Sequence, residues 1–206
     1  MSPFPPAVLP GVGWDATAPE SVVESPAQLR AVLRALESGG SRIVAGRFPW
    51  RETVRELVAE LPLWWFPVEP DGRLWRACVE RPARQVAASL EAYLAREHRL
   101  IEAAWEQAPR GRAFRWRLER HMRVEEQLLF PEWTCRGDRP GWALGLAAEH
   151  DLLREPVLNS RIHLRAFRER LDSHDEKGER VFYPALVECL GDDSPAVLRE
   201  AMLVSV

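Results

Sequence analysis

HMRVEEQLLFP, residues 121–131, returns at residues 174–184 as HDEKGERVFYP. Each copy opens on a histidine (His121, His174), carries a glutamate five residues later (Glu126, Glu179) and closes on an aromatic residue followed by proline. A second echo precedes each copy: Glu97-His98-Arg99-Leu100 and Glu149-His150-Asp151-Leu152. The interval from His98 to His150 is 52 residues and that from His121 to His174 is 53. Self-similarity at a fixed spacing marks a repeated structural unit. Here the unit is a helical hairpin with one histidine per helix, present twice.

The flanking sequence supplies the helices. From Pro82 onward about 110 residues keep a helical period with few glycines, broken only at Pro109-Arg110-Gly111, at RGDRPG (136–141) and near Val157–Ser160. The breaks leave four helices of about 20–28 residues, each about 30–40 Å long at 1.5 Å per residue. Short connections predict an up-down-up-down four-helix bundle over residues 83–206, with a short fifth helix at Pro195–Leu203. The apolar residues, with the histidines among them, recur at steps of three and four: Phe114, Leu118, His121, Glu125, Leu128; Leu164, Phe167, Leu171, His174, Gly178; Leu90, Leu94, His98, Ile101; and Leu146 before His150. This spacing is that of a buried helix seam, so the four histidines fall on the seams and face one another.

A carboxylate on such a seam is costly unless it is compensated. Glu125 lies one turn after His121, where both side chains reach a single point. Imidazole nitrogen with carboxylate oxygen suits iron or manganese, and two-fold repetition implies two ions bridged by carboxylates. A lone buried histidine is ordinarily a satisfied core residue; four in matched repeats, with a glutamate one turn on, point instead to ligands. His163 shares a face with His174 but is eleven residues away, about 16 Å along the axis, and reads as a core or bundle-end residue. The two tyrosines, Tyr93 and Tyr183, flank the ligand-bearing turns. Their hydroxyls either hydrogen-bond around the site or simply pack.

With these motifs the segment resembles the hemerythrin-like family, whose four-helix bundles bind a non-haem di-iron pair; the likeness covers about half the chain. The resemblance implies His98, His121, His150 and His174 as histidine ligands, with Glu125 and Glu179 as bridging carboxylates and two non-haem Fe ions (or Mn) as cofactor. Two departures accompany it. Oxygen-carrying members have a further histidine four residues after that of the third helix, where this chain has Arg154. Glu102, one turn after His98, is the substitute expected to fill the gap and to partner Arg154. Residue i+5 lies about 140° around an ideal helix from residue i, so Glu179 needs a π-bulge to share a metal with His174. Gly178 makes that distortion cheap. Glu126, also at i+5, reads as surface or as an outer neighbour of the site, because Glu125 already serves His121.

Residues 1–82 read as a small α+β domain with a Pro-rich lead-in (1–25). Ser25-Pro26 caps a helix whose stripe is Leu29, Val32, Leu33 and Leu36, and Gly39-Gly40 stops it. A strand at Arg42–Gly46, a helix near Trp50–Leu61 and two strands, Leu63–Val68 and Arg73–Glu80, around a Pro-Asp-Gly turn complete it. The ending DGRLWRACVER and the element order resemble a small domain of unknown function that accompanies hemerythrin-like bundles in bacteria. Trp64-Trp65-Phe66 offers either an apolar docking surface or strand core.

Composition sets outer limits. The net charge of −3, with 46% hydrophobic and 29% charged residues, gives no electrostatic case for nucleic acid or an acidic membrane, and no run of 18 apolar residues exists to span one. Cys78, Cys135 and Cys189 are scattered and odd in number, which reads as reduced thiols in the cytoplasm. The absence of a positively charged, then apolar, leader points the same way. Arginine supplies every basic residue but Lys177, a bias of GC-rich, bacterial coding. The expected function is O2 or NO binding for sensing, buffering or delivery. A di-iron oxidase, peroxidase or NO-handling enzyme, and an iron storage or iron-centre maintenance protein, are the alternatives.

Overall fold

The structure, a computed structural model, describes residues 20–71, 74–137, 141–158 and 163–205. Most of the Pro-rich lead-in and parts of the Pro-Asp-Gly, RGDRPG and Val157–Ser160 breaks lie outside these residues. The described chain is mainly helical with a small four-stranded sheet.

The sheet part runs β1 (Glu20–Val23), α1 (Pro26–Arg34), β2 (Ser41–Gly46), α2 (Arg51–Glu60), β3 (Trp64–Asp71) and β4 (Leu74–Glu80). Ser25 caps α1 by accepting from the Gln28 amide at 3.3 Å, with Pro26 at the first helical position. Spatial order is β1-β2-β4-β3, with β1 and β2 parallel and the other pairs antiparallel. The parallel pair requires the crossover that α1 provides. Alternation along β3 sends Trp64 and Phe66 to one face and Trp65 to the other. Trp65 stacks on Trp50, which leads into α2, while Phe66 stacks on Tyr93 of the first long helix at 4.8 Å between centroids. All three aromatics are buried, so this triplet is core and not a docking surface.

The helical part follows as α3 (Leu90–Gln107), α4 (Arg112–Val124), α5 (Phe130–Arg136), α6 (Gly141–Leu158), α7 (Leu164–Lys177), α8 (Tyr183–Leu190) and α9 (Ser194–Leu203). One π-helical turn, Glu125–Leu129, joins α4 to α5 without a break, and a second, Gly178–Phe182, joins α7 to α8. The expected distortion at Gly178 is present; its twin at Glu125 was not expected. Its extra residue shifts the seam, so that Leu129 is fully buried and Leu128 only half-buried. α3 packs on α4 and α8, α5 on α6 and α8, and α6 on α4 and α7.

Two apolar clusters fill these contacts. One runs without interruption from the sheet (Val44, Trp65, Ala77) through Tyr93, Leu94, Val124 and Phe182 to α9 (Leu198, Met202). The other, around Trp105, Phe114, Leu153 and Phe167, closes the far end of the helices. The histidines occupy the level between them: Leu94 and Ile101 flank His98, Leu118 and Val124 flank His121, and Leu146 and Leu153 flank His150, one residue of each pair from each cluster. No described helix is long and apolar enough to cross a membrane.

Candidate metal centre

His98 on α3, His121 on α4, His150 on α6 and His174 on α7 are all buried. Each turns Nε2 toward a common interior and Nδ1 toward a carboxylate from a neighbouring helical run. Glu179 stands 2.8 Å from Nδ1 of His98, Glu97 3.5 Å from that of His121, Glu126 2.7 Å from that of His150, and Glu149 3.1 Å from that of His174. The four pairs close a ring: α3 supplies the carboxylate for α4, the first π turn for α6, α6 for α7, and the second π turn for α3. A carboxylate on Nδ1 fixes the ring orientation and favours a proton there. That turns Nε2 inward as the nitrogen available to a cation, as metal-ligating histidines are ordinarily held.

Inside the ring lies Glu125, fully buried. Its Oε2 is 2.8 Å from His150 Nε2, 3.4 Å from His174 Nε2 and 3.6 Å from His121 Nε2. Its Oε1 accepts from the Tyr183 hydroxyl at 2.9 Å. The His98 and His121 Nε2 atoms are 3.0 Å apart. Ligand atoms of His121, Glu125 and His174 fall within 4.8 Å of one another and could hold a metal ion. Two buried atoms aimed into this interior make no well-formed hydrogen bond: His174 Nε2, with Glu125 Oε2 at 3.4 Å, and Asp175 Oδ1, 3.7 Å from His98 Nε2. Orphaned polar atoms are costly in a dry interior. A cation among them would lower that cost, and the imidazole nitrogens and carboxylate oxygens are a donor set that can hold a metal ion.

The protonation states follow from the same contacts. Burial holds the His121 pKa well below its ordinary value despite Glu125, and the neighbouring imidazoles add to the effect. Burial alone would raise the Glu125 carboxyl, but the surrounding imidazoles, His121 first and then His150 and His174, outweigh it and keep the group ionised. Burial also opposes a charge on His174, yet Glu125 and Glu149 raise its pKa to about 9. Burial and then Glu125 push the Tyr183 phenol up, so it is the protonated partner of the Glu125 contact.

Five of the six residues expected from the sequence are brought together: His98, His121, Glu125, His150 and His174. Glu179 is not among the inner atoms. The π turn carries it outward to the far nitrogen of His98, where it lies about two-fifths exposed, in the role that Glu126 plays for His150. Glu102 likewise does not enter the site and does not meet Arg154, but pairs with Arg168. Arg154 binds Glu126 at 2.6 Å and Glu119 at 2.9 Å, so carboxylates shield its charge at the edge of the ring. His163 is exposed at the start of α7. Tyr93 lies away from the inner atoms, giving its hydroxyl to the Trp65 carbonyl at 3.1 Å.

Sequence reasoning passed over Glu97, Glu149, Asp175 and Arg120. The signal for the first two was the repeated Glu-His pair itself, each glutamate serving a histidine on the next helix and not its own neighbour. Arg120 grips Glu97 from behind and donates to the carbonyls of Ala201 at 2.8 Å and Val204 at 3.0 Å. It thereby ties the His121 support to the end of α9. A polar cleft of about 380 Å³, lined by His98, Asp175, Glu179, Arg99, Glu102 and Arg168, leads from the surface to this corner. Compared with known proteins, the chain matches no protein family, no curated protein and no solved structure.

Proposed function

We propose that this protein is a non-haem di-iron protein of hemerythrin type, a four-helix bundle whose centre binds O2 or NO for sensing, buffering or delivery. The observation that carries the reading is the closed ring of four carboxylate–histidine pairs around one buried carboxylate. A packed core needs no such ring, and burying this many ionisable groups costs several kcal/mol per unpaired ion unless cations compensate. The packing of α3, α4–α5, α6 and α7–α8 on one another supports the bundle.

In this reading His98 and His121 would hold one ion and His150 and His174 the other, and Glu125, whose Oε2 lies 2.8–3.6 Å from the Nε2 atoms of His150, His174 and His121, would be the carboxylate they share. Iron held this way supplies reversible binding and one-electron chemistry toward small diatomic ligands. The outer carboxylates orient the imidazoles and raise their basicity. The two apolar clusters exclude bulk water above and below, and the polar cleft beside His98 and Asp175 offers a small ligand its way in. A second reading, a di-iron oxidase, peroxidase or NO-handling enzyme, draws support from the oxidisable phenol of Tyr183 among the inner atoms.

Anaerobic loading with ferrous iron followed by metal analysis tests the centre. Wild type is expected to bind two irons per chain, His121→Ala and His174→Ala to lose most of them, and His163→Ala to lose none. Exposure of the loaded protein to O2 then separates the readings: optical changes that reverse when the gas is removed mean binding, and irreversible oxidation with turnover means catalysis. Wild-type protein that takes up no iron, with His121→Ala folded as well as wild type, would refute both.

A further inference from the structure

Aligning the two copies on their histidines pairs Glu126 with Glu179 and keeps the proline, and three of the eight exchanges between them bear on the site. Glu125 faces Gly178, Phe130 faces Tyr183, and Met122 faces Asp175. The inner carboxylate is therefore present in the first copy and missing from the second. The space it would need is occupied: a Cβ built on Gly178 would stand 3.0 Å from Tyr183 Cζ and 3.1 Å from its hydroxyl oxygen. Phe130 in the first copy stacks on His150 and meets Phe182 edge-on, whereas the phenol oxygen of Tyr183 reaches the interior. It lies 3.2 Å from His98 Nε2, 3.3 Å from His121 Nε2 and 2.9 Å from Glu125 Oε1.

Building on the metal-centre reading above, we propose that Tyr183 is a metal ligand, its phenolate replacing in the second repeat the carboxylate that Glu125 supplies in the first. Donor atoms bonded at about 2.1 Å and at right angles around one ion stand about 3.0 Å apart. The His98 and His121 Nε2 atoms are 3.0 Å apart, and the Tyr183 oxygen lies 2.9 to 3.3 Å from both of them and from Glu125 Oε1. The donors of one ion are thus grouped before it arrives. Without the ion, the phenol keeps its proton and donates to Glu125. Coordination releases that proton to water, because a bound cation becomes the largest local charge and favours the anionic oxygen. Asp175 Oδ1, unpartnered and 3.7 Å from His98 Nε2, lies on this same side. The pair His98/His121 then has more donors than the pair His150/His174, which has only the two imidazoles and Glu125 Oε2.

The chain's two tyrosines make the test clean. Wild type, Tyr183→Phe and Tyr93→Phe are loaded with iron, oxidised to the ferric state, and examined for iron content, visible absorption and resonance Raman scattering. Wild type and Tyr93→Phe are expected to show a phenolate-to-iron(III) charge-transfer band with enhanced phenolate ring modes, and Tyr183→Phe to lose both. Wild type that binds iron without the band overturns the ligand assignment while leaving the metal reading intact. A band that persists in Tyr183→Phe overturns it equally. Protein that binds no iron at all removes both together.

Discussion

At the scale of single residues, the outer carboxylates have the sharpest consequence. Glu149 accepts from Nδ1 of His174 at 3.1 Å and is held in turn by Lys177. It is partly exposed, so its replacement leaves no buried orphan and the fold should tolerate it. Losing an outer partner of a ligating imidazole ordinarily costs about 10–100-fold in metal affinity. Glu149→Gln is therefore expected to weaken iron binding within that range, as competition with a chelator of known affinity would measure, at an unchanged thermal unfolding midpoint of the iron-free protein. Affinity equal to wild type would mean that the ring orients nothing. The inner histidines and Glu125 were legible in the sequence because side chains at i and i+4 share a helix face, a purely local relation. Glu97 and Asp175 were not. Glu97 follows the period of its own helix yet serves the next one, and only tertiary packing decides which helix is next.

The two π turns belong to the scale of the element. A glutamate at i+5 from each histidine calls for an extra residue in the turn, and the reading from sequence placed that distortion at Gly178 alone. The same spacing runs from His121 to Glu126, but Glu125 at i+4 already satisfied the first copy and hid the need. With the turn widened, Glu125 and Glu126 both serve the centre, one from within and one from without. The consequence at Gly178 can be tested by Gly178→Ala. Relief of backbone entropy favours alanine in a helix by about 1 kcal/mol, whereas forcing a methyl against the buried Tyr183 ring costs about 1–3 kcal/mol. The two offset, so the unfolding free energy should change by no more than about 1–2 kcal/mol. The phenol, however, must move from Glu125 and the two imidazoles. The expected result is a weakened or shifted ferric phenolate band in a stable protein; an unaltered band would show that the ring has room to give.

For the molecule as a whole, composition and periodicity divide the chain near residue 82; among the described residues the four strands lie before it and the long helices after it. What periodicity does not carry is the contact between the parts. Tyr93, on the first long helix, stacks on Phe66 and meets Trp64 edge-on. Trp64 gives its indole N–H to the Ala87 carbonyl at 3.2 Å, Arg96 forks onto Glu80 at 2.6–3.1 Å, and α9 packs on α2 and β3. One apolar cluster runs through all of it. Fully burying a large apolar side chain contributes about 1.5–3 kcal/mol, so uncovering four, such as Leu90, Tyr93, Leu198 and Met202, would cost about 6–12 kcal/mol. A whole domain is stable by only about 5–15 kcal/mol. Residues 83–206 expressed alone are therefore expected to lack a cooperative unfolding transition and to bind no iron, although they contain every proposed ligand. The full chain should unfold in a single calorimetric transition, with the van't Hoff and calorimetric enthalpies equal. The mechanical link to the centre is Arg120, which joins the Glu97 support of His121 to the last turn of α9: if the sheet goes, α9 loses its seat, and the ring loses the arginine's outer anchor. A fragment that folds and loads iron to the level of the full chain would show instead that the sheet is a passenger on an independent metal-binding unit.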